Sequence, residues 1–259
     1  MPISSSEDYR GLTLHQKTKM KEFMNIYAYS VVPEEIDFKG RITVPSLCGH
    51  IINAIGQNIR KEGFGIDVMA KENRSWILIR SAFEIDQRPA LYSPLFVSVW
   101  PVSKGGISFY RCIRITDENG KELGRGTTEW CMIDIASRRP IYPGDDLDVC
   151  GRHFSLPCEG PRRIQDFAPD MTDSRKVGYS ECDFNGHLNN NRYVEMIFDM
   201  LPENIVDSSS RFRLDLNFKK EIRRGENLSI GLKQNHSDEY LFIAKAGGQT
   251  LCSASVQRS

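Results

Sequence analysis

The sequence predicts an α+β protein built from two similar halves, each a long helix followed by a run of antiparallel strands. Helical spacing appears twice, at Leu47, Ile51, Ile55 and Ile59 and again at Tyr193, Ile197, Met200 and Leu201. Each stripe is followed by short segments rich in β-branched and aromatic residues, the composition of strands. Laid together without a gap, the halves align Asp37-Phe38-Lys39-Gly40-Arg41 with Asp183-Phe184-Asn185-Gly186-His187, and Leu47 and Ile51 with Tyr193 and Ile197.

Taken in order, Thr43-Val44-Pro45-Ser46 supplies a helix cap with proline near the first helical position, and Gly63 ends that helix. Strands are expected around 76–79, 83–85, 95–100, 109–116 and 127–135, with Gly105-Gly106 and Asn119-Gly120 as turns between them. From Arg138-Arg139-Pro140 to about Arg175 the chain is rich in Pro, Asp, Gly and Arg and loses periodicity, as a linker does. The expected division is a first half over 1–150, a linker over 151–174 and a second half over 175–259. In the second half, the amides of Asn189-Asn190-Asn191 can cap a helix that Pro202 stops. Strands should follow at 212–218, 228–232, 241–246 and 251–256. Two such halves side by side would each bury the other's sheet edge, giving one continuous sheet with two central helices.

Composition excludes several function classes. With 34 Lys+Arg against 34 Asp+Glu, there is no global electrostatic case for nucleic acid or an acidic membrane. No apolar run approaches the ~20 residues of a membrane span, and Met1-Pro2-Ile3-Ser4-Ser5-Ser6-Glu7-Asp8 lacks the apolar core of a secretory signal. The seven cysteines are scattered, without a close Cys-x-x-Cys pair. Cys48, Cys131 and Cys252 lie among apolar residues, so free thiols in a reducing cytoplasm are expected rather than disulfides or a metal site. No cofactor is called for.

The stretch from Asp183 to Tyr193 is the most informative in the chain. It puts a carboxylate, an amide and an imidazole on alternate residues, Asp183, Asn185 and His187. In an extended backbone these would point the same way and converge on one reacting atom. The start of a helix lies immediately beyond, where backbone N–H groups of Leu188, Asn189 and Asn190 could stabilise an oxyanion. Asp, Asn and Gly are equally the ordinary residues of turns and caps.

The order Asp183-Phe-Asn185-Gly-His187-Leu-Asn189-Asn190-Asn-Arg-Tyr193 resembles the active-site stretch of the fatty acyl-acyl carrier protein (acyl-ACP) thioesterases, a hotdog-fold family. Asn217-Phe218-Lys219-Lys220-Glu221-Ile222 resembles the strand on which plant members carry a Glu followed by a Cys. Here Glu221 is kept and Ile222 replaces the Cys, which removes a thiol nucleophile at that position. Ser75 to Arg80, Glu84-Ile85, Arg88-Pro89, Val99-Trp100-Pro101 and Glu129 to Asp134 match the family's first half. The likeness runs from about Phe23 to Val256.

The resemblance implies a tandem (double) hotdog that hydrolyses fatty acyl-ACP, with catalytic residues Asp183, Asn185, His187 and Glu221. His187 would be the base that activates water, and Glu221 would orient it or bind the same water. Asn185 would position water or substrate, and Asp183 would act as an orienting group or, alternatively, as a direct nucleophile. It also implies an acyl chain buried in the first half, for which Ile51, Ile55, Val68 and Met69 are candidate lining residues. An acidic acyl carrier protein would be the partner, with Arg138, Arg139, Arg162, Arg163, Lys219, Lys220, Arg223 and Arg224 as candidate docking charges. The chain would act as monomer or homodimer. Two alternatives stay open: hydrolysis of acyl- or aroyl-coenzyme A, and a non-catalytic acyl-binding hotdog.

Overall fold

In the computed structural model the described residues are 25–103, 106–142, 155–206 and 211–258. The first half contains β1 (Asn25–Ser30), a first long helix (Val44–Lys61), and then β2 (Arg74–Ile85), β3 (Pro94–Ser103), β4 (Ser108–Thr116) and β5 (Glu122–Asp134). The second half repeats the order with β6 (Met171–Lys176), a second long helix (Asn190–Met200), β7 (Phe212–Phe218), β8 (Asn227–His236), β9 (Glu239–Ala246) and β10 (Gln249–Arg258). Among the described residues these strands form one sheet, in the order β1-β3-β4-β5-β2-β7-β10-β9-β8-β6. The tandem hotdog and its continuous sheet are therefore present. The halves meet where β2 and β7 pair antiparallel, from Arg80 opposite Asn217 to Ile85 opposite Phe212.

Both long helices begin as the sequence requires. Thr43 caps the first by accepting the Ser46 N–H, Pro45 sits in its first turn, and Gly63 follows its end at φ 88°. Asn189 caps the second by accepting the Asn191 N–H. Their apolar stripes lie on the same face of the sheet and share one core. That core includes Leu47, Ile51 and Ile55 of the first helix, Tyr193 and Ile197 of the second, and Phe83, Leu214 and Leu216 from the seam strands. Burying each large apolar side chain contributes roughly 1.5–3 kcal/mol, so the shared core binds the halves together. Across it the Asn191 side chain donates to the Pro45 carbonyl (3.1 Å). Among the described residues no helix is long and apolar enough to cross a membrane.

Two strands depart from the sequence reading. β1 and β6 are the outer edges of the sheet. β6 begins inside the expected linker and crosses its end, and every one of its six residues is exposed, so it has no apolar face from which a period could be read. The linker is also more than a tether. Residues 155–170 lie along the sheet face opposite the helices, held by polar side chains that β7 points that way. Fully buried Asp215 accepts from the Arg162 backbone N–H (3.0 Å) and pairs with the guanidinium groups of Arg162 (2.8 Å) and Arg213 (2.9 Å). Asn217 exchanges bonds with the Ile164 N–H and the Arg162 carbonyl. A buried carboxylate is tolerated because both its oxygens are engaged. At the other end, Pro140 bridges to Ile133, so the Arg138-Arg139-Pro140 turn belongs to the first half.

Candidate active site

The Asp183–His187 segment is a tight turn, not an extended strand. Asp183 Oδ1 accepts the backbone N–H groups of Asn185 (2.8 Å) and His187 (3.2 Å). Its carbonyl accepts the Gly186 N–H, and its own N–H donates to the His187 carbonyl. Gly186 sits at φ 76°, a left-handed conformation that favours glycine. The expected three-way convergence of side chains is therefore absent. Asp183 organises the backbone, Asn185 rides exposed on the tip, and His187 emerges where the chain straightens.

Straightening brings His187 beside the second functional segment. The Leu188 N–H donates to the Ile222 carbonyl (2.9 Å), and His187 pairs with Arg223 as an antiparallel bridge. This register sets Glu221 next to the imidazole, with His187 Nε2 3.5 Å from Glu221 Oε2. The His187 side chain is 14% exposed and that of Glu221 is 40% exposed, so the pair is accessible from the protein surface. Glu221 lies in the loop after β7, not on a strand. Ile222, at the position of the missing Cys, is 2% exposed and packs into the shared core. Burial pushes the Cys48 thiol up to about 12 and the Cys158 thiol up to about 11, and raises that of Cys252, so none of these is poised as a thiolate.

One contact was not legible as part of the site. Arg138, from the turn after β5 in the first half, donates through Nη2 to Glu221 Oε2 at 2.6 Å. Glu221 is thus shared between His187 and a residue 83 positions away. The sequence marked Arg138 only as a docking charge, because nothing local ties it to the motif.

At the second helix's start, two of the three expected oxyanion donors are already engaged. The Leu188 N–H bonds to Ile222 and the Asn189 N–H bonds to the Glu181 carbonyl (2.9 Å). Among the described residues, the Asn190 N–H has no such partner, since Asn191 donates to the Asn189 cap. The expected tail-lining residues also separate. Ile51 and Ile55 are fully buried in the shared core, Met69 packs in another cluster with Phe109 and Met132, and Val68 is 41% exposed. They do not line one cavity.

Of the proposed docking charges, Arg162 is taken by Asp215, Lys219 by Asp166 (2.7 Å) and Arg138 by Glu221. Lys220 donates to Gln249, and Arg224 stacks over the Tyr179 ring. Arg139, Arg163 and Arg223 are exposed.

The comparisons with known proteins agree with this architecture. The family profile described as the acyl-ACP thioesterase N-terminal domain matches residues 21–147, and that of the acyl-ACP thioesterase C-terminal domain matches residues 165–257. The chain is 25% identical over 198 residues to oleoyl-acyl carrier protein thioesterase 1, chloroplastic, of Arabidopsis thaliana, covering 68% of this chain and 55% of that protein. To the oleoyl-acyl carrier protein thioesterase of Coriandrum sativum it is 23% identical, covering 83% of this chain and 63% of that one. The chain thus spans less than two thirds of the length of these curated relatives. An acyl-ACP thioesterase crystal structure from Bacteroides thetaiotaomicron superposes with a TM-score of 0.83 and 27% identity, over 94% of this chain and 99% of that one. The 12:0-ACP thioesterase from Umbellularia californica shares the fold, with a TM-score of 0.78 at 17% identity over 91% of this chain and 97% of that one. With the two matched regions together spanning most of its length, the chain belongs to the acyl-ACP thioesterase family.

Proposed function

We propose that this protein hydrolyses fatty acyl-ACP to free fatty acid and carrier thiol. The observation that carries the reading is His187 Nε2 lying 3.5 Å from Glu221 Oε2, beside an exposed Asn185 and a helix start with an unpartnered N–H. A water oxygen about 2.8–3 Å from both groups would complete a compact triangle. His187 would accept the water proton as the oxygen attacks the thioester carbon, because imidazole is the side chain suited to that exchange near neutral pH. The Asn190 N–H would stabilise the tetrahedral oxyanion, and the imidazolium would return its proton to the departing sulfur. Asn185 would orient the thioester. Asp183 would serve by holding the turn, since two backbone N–H groups already occupy one of its carboxylate oxygens.

The carrier would dock around Glu221. Lys220, Arg223, Arg224 and Arg139 flank it in sequence or across the Arg138 contact, and the exposed rings of Phe184 and Tyr179 stand on the neighbouring turns. Such a surface suits an acidic protein carrying a phosphopantetheine arm. The site draws on both halves of one chain, so a monomer suffices. Free thiols at Cys48, Cys112, Cys131, Cys158, Cys182 and Cys252 suit a reducing, cytoplasmic setting.

Thiol release from one acyl group presented on acyl carrier protein and on coenzyme A tests the reading. Faster turnover on the carrier protein is expected. Preference for coenzyme A would favour the alternative substrate, and no release at any chain length would favour a binding protein.

A further inference from the structure

Resting on the hydrolase reading, we infer that Arg138 is a positioning residue that keeps Glu221 from converting His187 into an imidazolium. Arg138 Nη2 and His187 Nε2 approach the same oxygen, Glu221 Oε2, at 2.6 and 3.5 Å. The guanidinium therefore takes the stronger contact, and the imidazole sits just outside hydrogen-bond range.

The turn that presents Arg138 is built for this. Asp134 Oδ1 accepts both the Ser137 N–H and its hydroxyl (2.7 Å each), while Asn73 donates to Asp134 Oδ2 (2.7 Å). The Arg138 N–H returns to the Asp134 carbonyl (2.9 Å), and the Asp134 N–H reaches the Arg139 carbonyl (3.0 Å). Arg138 itself stands at φ 58°, a left-handed conformation rare for a residue with a side chain. An exposed surface arginine needs neither this backbone nor this bracing.

The charge balance gives the role. A lone carboxylate beside an imidazole favours the protonated ring, which cannot accept a proton from water. Arg138 offsets that charge while holding the carboxylate within reach. Among the described residues, the ion pair to His187 comes from Glu221 and, through it, Arg138. Arg223 lies across the bridge, and Asp183 is turned to the backbone. Because Arg138 comes from the first half, the second half's pair is complete only in the tandem chain.

The test combines the pH profile of kcat/KM for an acyl-ACP with an NMR titration of the His187 ring, in wild type, Arg138→Gln and Arg138→Lys. In Arg138→Gln the titration midpoint and the acid limb should both move up by about half a unit to one unit, costing about threefold to tenfold at slightly acid pH and recovering in alkali. Arg138→Lys should stay near wild type. In a Glu221→Gln background, Arg138→Gln should lose most of its effect. A uniform rate loss with an unmoved midpoint, or no change in either, would overturn the inference. Wild type that releases no thiol would sink the hydrolase reading, while the ring titration would still decide whether Arg138 governs His187.

Discussion

The two halves carry the same turn at positions 146 residues apart, and only in the second does the turn's own histidine, His187, meet a glutamate on the segment it bridges. In the first half Asp37 Oδ1 accepts the N–H groups of Lys39 (2.9 Å) and Arg41 (3.1 Å), and Gly40 stands at φ 71°, as Gly186 does in the second. Ile42 donates to Pro89 just as Leu188 donates to Ile222, and Arg41 bridges Ala90 as His187 bridges Arg223. By that register Arg41 occupies the place of His187, and Arg88 the place of Glu221. Arg88 Nη1 lies 2.9 Å from Asp37 Oδ2 and also donates to the Ile42 carbonyl, and Nη2 donates to the Val206 carbonyl in the second half. One half thus uses the device as a structural lock, and the other presents a titratable pair. The aspartate common to both holds its turn, and under the proposed function the residues at two other positions decide which half carries chemistry.

The largest effect expected from breaking this comparison is on stability, in the first half. Asp37→Ala would deprive the Arg88 guanidinium, whose side chain is 6% exposed, of its carboxylate counter-charge, and should cost about 3–5 kcal/mol in urea unfolding without lowering turnover per folded molecule. The lock should also be acid-sensitive. Burial alone would push the Asp37 carboxyl up, but the Arg41 N–H, the Arg88 guanidinium and the Lys39 N–H outweigh it and hold it below its ordinary value. Its contribution is complete above about pH 4 and fades as pH falls through the depressed folded value, so Asp37→Asn should flatten the acid side of the stability curve.

Asp183→Ala should cost less stability, about 1–3 kcal/mol for two deprived N–H groups, because no buried arginine loses its counter-charge. Unlike Asp37→Ala it should also slow thiol release, since the turn that aims His187 loosens. Equal effects of the two variants on rate would erase the distinction between the halves. Smallest is Ile222→Cys, which restores the plant-type residue. Its side chain faces the core, so we expect a cost of about 1 kcal/mol and no alkylation-sensitive activity.

Much of this arrangement was legible because local rules fixed it. Thr43 and Asn189 cap the helices, Pro202 follows the second, and β7 occupies the 212–218 span read from its β-branched and aromatic residues. The 146-residue repeat was visible in five residues and two helix positions. What escaped was non-local or lacked a period. β6 has no buried face, and the stretch from 155 to 170 is ordered by Asp215 and Asn217 far along the chain. Arg138 meets Glu221 only once the sheet is assembled. Asp183 joins no converging trio because the turn chemistry of Asp, Asn and Gly, which the sequence also offers, prevails over an extended backbone here.

The most direct test sets equivalent positions against each other: thiol release from acyl-ACP by His187→Ala and by Arg41→Ala, each corrected for folded fraction. A rate about 10²–10⁴ lower for His187→Ala, with Arg41→Ala close to wild type, is the predicted result. Comparable rates for the two variants would contradict the assignment of chemistry to the second half.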